Sequence, residues 1–162
     1  IYKLLLSHNL ITDKITTEDI QQLAVEWIDK YRNLYLYNVN MTVEEYVLFN
    51  HNLDSIETYL EYYSVYSGNS DDEDIPIERW GGIPELIALS NIYKININIY
   101  TGKTYHNTKN KIIKGAIIKN KPRKDFRYQL LLSTTRDGLY NITFNILYYE
   151  NKYTKHFYAL TN

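Results

Sequence analysis

The sequence predicts an α+β fold in which a mixed β-sheet is flanked by helices. The first half of the chain carries apolar residues at helical spacing, whereas from Ile95 onwards apolar positions alternate with a period of two. Helices that precede a run of strands are typical of α+β domains. The length of 162 residues suits one hydrophobic core, so we expect 1–162 to form a single domain.

Helical periodicity and N-terminal capping signals predict the helices. Thr17, which precedes two acidic residues, is the predicted N-cap of the first. Thr42 and Glu45 match the capping box Ser/Thr-x-x-Glu at the start of the second. Gly81 and Gly82 permit a tight turn before the last. The expected helices are 18–37, 42–49, 53–66 and 84–93.

Alternating apolar residues predict the strands. Ile95, Ile97 and Ile99 lie on one face of the first, and the last two strands are joined by the turn YENKYT. The segment SGNSDDEDIP at 67–76 has neither periodicity and is expected to be a loop. The expected strands are 95–100, 112–118, 128–133, 141–148 and 155–160.

Composition excludes several classes of function. The net charge of −1 gives no global attraction to nucleic acid or anionic membrane, and the apolar runs fall short of the roughly 20 residues that span a bilayer. Cysteine is absent, which excludes disulfides and thiolate zinc sites within the printed chain. The abundance of Ile, Asn, Lys and Tyr indicates A/T-rich coding, as in a virus or parasite. We expect a cytoplasmic protein, located in the host cytoplasm or virion if viral.

The spacing of ligand residues does not favour a metal site, and the composition does not favour a nucleic-acid site. The four histidines do not pair at metal-ligand spacing, and the acidic run 71–74 lacks the order of a calcium loop, so neither a metal nor a cofactor is expected. A basic segment with interleaved aromatics has the composition of a phosphate-binding patch, although it also suits an exposed connection between strands. Its cations are Lys119, Lys121, Arg123, Lys124 and Arg127.

Three blocks of sequence occur in an order that is more specific than any one of them. IYKLLLSHNLI at 1–11 is an apolar helical start, ERWGGIPELIALSNIYKININIY at 78–100 is a turn, helix and strand, and NITFNILYYENKYTKHFYALTN at 141–162 is a hairpin with His156 near the start of its last strand. In this order the chain resembles the ovarian tumour (OTU) family of cysteine peptidases. The resemblance covers nearly the whole chain and implies a papain-like OTU fold.

The resemblance also implies an activity and a site. Family members remove ubiquitin or a ubiquitin-like modifier by thiol acyl transfer, and His156 matches their catalytic base. The matching nucleophile position lies one residue before Ile1, and the start without Met inside an apolar helix predicts a fragment of a longer polypeptide. The substrate-binding candidates are Trp80, Gly81, Gly82, Phe157 and Tyr158.

Two hypotheses stay open at this point. In the first, the parent protein is an active deubiquitinating peptidase with its cysteine just upstream of Ile1. In the second, the domain is a non-catalytic relative that binds ubiquitin or has a structural role, since Tyr158 stands where many members have Asp or Asn. A core tryptophan, a tight turn and packed aromatics would also explain the substrate-binding candidates without any chemistry.

Overall fold

The computed structural model describes residues 1–63, 82–104, 126–135, 139–150 and 155–160. The helices in these ranges are α1 (Tyr2–Ser7), α2 (Thr17–Lys30), α3 (Val43–His51), α4 (Ile56–Tyr63) and α5 (Ile83–Tyr93). The strands are β1 (Tyr35–Leu36), β2 (Met41–Thr42), β3 (Asn96–Thr104), β4 (Phe126–Ser133), β5 (Thr143–Glu150) and β6 (Lys155–Ala159). The predicted α+β class with a mixed sheet is confirmed.

The main sheet has the strand order β4-β3-β5-β6. β3 pairs antiparallel with β4 and parallel with β5, and β5 pairs antiparallel with β6, so the sheet is mixed. A register shift interrupts the β3–β4 pairing between Ile99 and Tyr100. β3 follows α5 directly and lies beside β5, so the helix that begins after the double glycine leads into the middle of the sheet.

The helix predicted at 18–37 corresponds to α2, and the prediction is wrong at both ends. The N-cap is Thr16, because its hydroxyl accepts the Asp19 N–H at 3.1 Å while the Asp19 carboxylate accepts the Thr16 N–H at 2.8 Å. The helix ends at Lys30, because the apolar residues beyond it form β1, which pairs with β2 and buries Leu36. This two-stranded hairpin was not predicted from the sequence.

The other helices lie close to their predicted positions. The capping box of Thr42 and Glu45 is present at the start of α3, with bonds of 2.8 and 3.2 Å. α4 begins at Ile56, later than the predicted 53, because Asn52 adopts a left-handed conformation (φ 52°) that ends α3. α5 begins one residue before the predicted Pro84 and ends at Tyr93 as expected.

One hydrophobic core lies between the helices and one face of the sheet. Its fully buried members come from all five helices, from β3 and from Ile95 just before it, and most are aliphatic. α1 joins this core through Leu5, and the ring of His8 just after it lies 4.9 Å from the ring of Phe144 on β5. The core residues with no exposed surface include Leu5, Ala24, Ile28, Val47, Tyr59, Ala88, Ile95, Ile97 and Ile99.

A buried polar group fixes β3 against its neighbours. Asn96 is 2 % exposed; its side-chain amide donates to the Tyr140 carbonyl and the Thr143 hydroxyl, and its oxygen accepts from the Thr135 hydroxyl. A second contact runs from the Thr134 hydroxyl to Ser90 on α5 at 2.7 Å. Because buried polar groups must be paired, these bonds fix the relative position of β3, α5 and the segment before β5.

Several predictions lie outside the described residues. They are the loop at 67–76, the strand at 112–118 and residues 151–154 of the turn YENKYT, whose first two residues, Tyr149 and Glu150, belong to β5 and not to a turn. The basic segment also lies outside, except that Arg127 belongs to β4, where its main chain pairs with Lys103.

Candidate functional site

The β5–β6 hairpin carries the residue predicted to be the catalytic base. His156 lies one residue after the start of β6, and its main chain is opposite Tyr149 of β5. The described part of His156 is its main chain. Its position near the start of the final strand agrees with the hairpin predicted from the sequence.

Phe157 and Tyr158 occupy different environments on the same strand. Phe157 is half-buried, packs against the core and has its ring 5.1 Å from that of Tyr148. Tyr158 is 41 % exposed and is paired with Leu147, which is buried. Phe157 therefore has a packing role in addition to any contact with a substrate, whereas Tyr158 has surface available to a ligand.

Gly82 is the N-cap of α5 and has extended backbone angles (φ −107°, ψ −155°). A Cβ added there would lie 3.4 Å from the Glu85 carboxylate and 3.5 Å from the His51 ring. Those neighbours belong to α5 and α3 and not to the hairpin of β5 and β6. Trp80 and Gly81, the other candidates before this helix, lie outside the described residues.

A buried carboxylate stands directly behind Gly82. Glu85 is 4 % exposed and accepts three hydrogen bonds: from the Gly82 N–H at 2.5 Å, from His51 Nε2 at 2.9 Å and from the Tyr59 hydroxyl at 2.7 Å. Tyr63 lies 2.9 Å from the other ring nitrogen of His51. We call Glu85, His51, Tyr59 and Tyr63 the Glu85 network. It joins α3, α4 and the start of α5.

Hydrogen-bond chemistry fixes the roles within the Glu85 network. An ionised carboxylate can only accept hydrogen bonds, so His51 Nε2 carries a hydrogen and donates a hydrogen bond to Glu85. When the imidazole is neutral, its Nδ1 is then the acceptor for the Tyr63 hydroxyl. The rings also pack together, with centroids 4.6 Å apart for His51 and Tyr63 and 4.8 Å for Tyr59 and Tyr63.

The network keeps the carboxylate charged despite its burial. Burial raises the pKa of Glu85, but the hydrogen bond and charge interaction with His51, together with the Tyr59 hydroxyl, outweigh it and place this pKa below its usual range. Burial, followed by the charge of Glu85, raises the pKa of Tyr59 well above its usual range. At neutral pH the network therefore contains an ionised Glu85 and a protonated Tyr59.

The sequence pointed only partly to this network. In IPELIALS, a glutamate is surrounded by apolar residues in a helix that is apolar on all sides, which is a signal of a buried carboxylate. Tyr59 and Tyr63 are four residues apart within the predicted helix 53–66, a spacing that places them on one helical face. Their partner His51 could not be found from sequence, because it lies 34 residues from Glu85.

Metal-binding side chains and long apolar helices also bear on the kind of site. Among the described residues, no group of three or more His, Cys, Asp or Glu side chains is arranged to hold a metal ion. Within the same ranges, every helix is too short or too polar to cross a membrane. The acidic run 71–74 lies outside these ranges.

The fold is α+β with a mixed sheet, and the β5–β6 hairpin carries His156. Comparison with protein-family models finds no family that matches the chain, and comparison with curated proteins finds no match either. Function must therefore be inferred from the residues and their arrangement.

Proposed function

We propose that the chain is an OTU-like cysteine peptidase domain, with a papain-like fold, that removes ubiquitin or a ubiquitin-like modifier in the cytoplasm. The observation that carries the proposal is the position of β5 between two other elements. Phe144 of β5 contacts His8 just after α1, which is the helix expected to follow the nucleophile, and β5 also pairs with β6, the strand of His156. The helix expected to follow the nucleophile and the strand that carries His156 therefore both contact β5, which supports the proposal.

The proposed chemistry needs a cysteine immediately before Ile1, since the printed chain contains none. His156 would take the thiol proton, and the thiolate would attack the carbonyl carbon of the modifier's C-terminal glycine. Backbone amides before the nucleophile would stabilise the oxyanion. The C–N bond then breaks as the imidazolium gives its proton to the leaving lysine amine, and water hydrolyses the thioester. No metal or cofactor takes part.

A second candidate function is a non-catalytic module that binds ubiquitin or a structural partner. It is favoured by Tyr158, which occupies the position of the carboxylate or amide that orients the histidine in many family members. A phenol cannot supply the negative charge that stabilises an imidazolium. Nucleic-acid binding through the basic segment is the weakest alternative, and it predicts affinity that falls steeply with salt.

The test uses the full-length parent protein and ubiquitin with a thiol-reactive group at its C-terminus. We expect a covalent adduct, detected by intact mass and mapped to a cysteine that adjoins Ile1. The adduct should be lost in His156→Ala, because the thiol then has no base. The matched control is His106→Ala, which removes a histidine that has no part in the proposed site.

Two results would contradict the peptidase proposal. One is a residue other than cysteine at the position before Ile1 in the parent gene. The other is a folded protein that forms no adduct with the ubiquitin probe. Reversible ubiquitin binding that survives His156→Ala would then support the non-catalytic module.

A further inference from the structure

Within the described residues, the three acidic side chains that form capping boxes are not equivalent. Asp19 and Glu45 each accept the N–H of the residue that caps their own helix, and both of these hydrogen bonds lie at exposed sites. Glu85 makes the same bond to Gly82 at the start of α5, but it is buried and its other oxygen is bonded to His51 and Tyr59. A local helix cap needs none of these extra partners.

The extra partners connect separate parts of the chain. His51 is the last residue of α3, and Tyr59 is in the middle of α4 with no exposed surface. Both side chains bond Oε1 of Glu85, whereas Gly82 bonds Oε2. One carboxylate therefore links the main chain that enters α5 to two helices that precede it by 26 to 34 residues.

We propose that Glu85 is a positioning residue, which His51 and Tyr59 hold in place so that its carboxylate fixes the Gly82 main chain at the entrance to α5. The inference rests on the proposed function in one respect: Gly82 is a candidate for the wall of the groove that receives the modifier's tail. Glu85 would act on the substrate only through Gly82, since its own carboxylate is buried and fully bonded.

The first test needs no activity and measures amide hydrogen exchange of Gly82 by nuclear magnetic resonance. Glu85→Gln and Tyr59→Phe preserve side-chain shape while weakening the network. We expect Gly82 to exchange about tenfold faster or more in each, because a hydrogen bond to a charged group is lost or weakened. In the matched control Glu45→Gln, Thr42 should exchange faster and Gly82 should not change.

The second test asks whether the held segment faces the substrate. It compares, in the full-length parent protein, the rate of labelling by the ubiquitin probe with the rate of labelling by iodoacetamide. We expect Tyr59→Phe to slow the ubiquitin reaction about tenfold or more and to leave the iodoacetamide reaction unchanged, since only ubiquitin must be aligned by the groove. Glu45→Gln should alter neither rate.

The outcomes separate the two proposals. Unchanged Gly82 exchange in both network variants would overturn the positioning role. Faster exchange with an unchanged ratio of the labelling rates would show that Gly82 is held but is not part of the groove, and would leave the peptidase proposal intact. A wild-type protein that iodoacetamide labels and ubiquitin does not would overturn the peptidase and the groove wall, while Gly82 exchange would still decide the positioning role.

Discussion

Replacing Glu85 with alanine should destabilise the protein strongly, although this residue is one of several helix-capping acids. The substitution removes the acceptor from Gly82, His51 and Tyr59 at once, and the Tyr59 side chain has no exposed surface through which water could replace it. A buried donor left unpaired costs about 1–3 kcal/mol, and the bonds from Gly82 and His51 at part-buried positions are lost as well. We expect the free energy of unfolding to fall by about 3–5 kcal/mol.

Urea unfolding followed by circular dichroism measures this loss. With a denaturant slope of about 2 kcal/mol per molar, the midpoint should fall by about 1.5–2.5 M. The matched control is Glu45→Ala, which removes the same kind of capping carboxylate from the exposed start of α3. It should cost less than about 1 kcal/mol, because water replaces the lost bond.

Equal losses for Glu85→Ala and Glu45→Ala would refute the reasoning. That result would mean that the three donors to Glu85 find water or other acceptors when the carboxylate is removed. The Glu85 network would then be a set of contacts without energetic coupling. A loss near 1 kcal/mol for Tyr59→Phe alone would not contradict it, since Glu85 then keeps two of its three partners.

Three further predictions concern pH, the sheet and the core. Because the pKa of Glu85 is lower in the folded than in the unfolded protein, the unfolded chain binds the proton first as pH falls. The stability advantage of wild type over Glu85→Gln should therefore be full above about pH 4.5 and shrink below it. Urea midpoints measured from pH 6 to 3 would test this, and a constant difference would contradict it. Asn96→Ala should cost about 2–4 kcal/mol in thermal unfolding, because it removes three hydrogen bonds that the buried Asn96 side chain makes; a loss below 1 kcal/mol would contradict the role of Asn96. Leu147→Ala should cost about 2–5 kcal/mol by urea unfolding, and Leu130→Ala, at a half-exposed position, much less; comparable losses would be inconsistent with the burial described.

Local sequence signals predicted the elements that form through local physics. α5 and β3 lie within a residue of their predicted starts, because the double glycine, the proline and the change of period are all encoded in neighbouring residues. The end of α2 was wrong for the opposite reason. The helix was predicted to continue to Tyr37, but pairing of Leu36 with Met41 in a hairpin stabilises Tyr35 and Leu36 as strand.

The residues of the candidate site also differ in whether the sequence could predict them. His156 is predicted as the base from its place in an ordered set of motifs, and its strand lies where that order predicts. The support behind Gly82 was not found, because it depends on which helices pack together. Nothing near His51 in the sequence indicates that its ring meets a carboxylate on α5.

The pairing of β3 with β4 has a practical consequence for engineering. Thr104 and Phe126 are paired partners at the far end of this ladder, so β3 ends and β4 begins at neighbouring points. The entropy of closing a connection grows only with the logarithm of its length. A fluorescent reporter or affinity tag inserted between these two residues should therefore leave the sheet and the His156 hairpin assembled, which offers a labelled form of the protein for following its partners in cells.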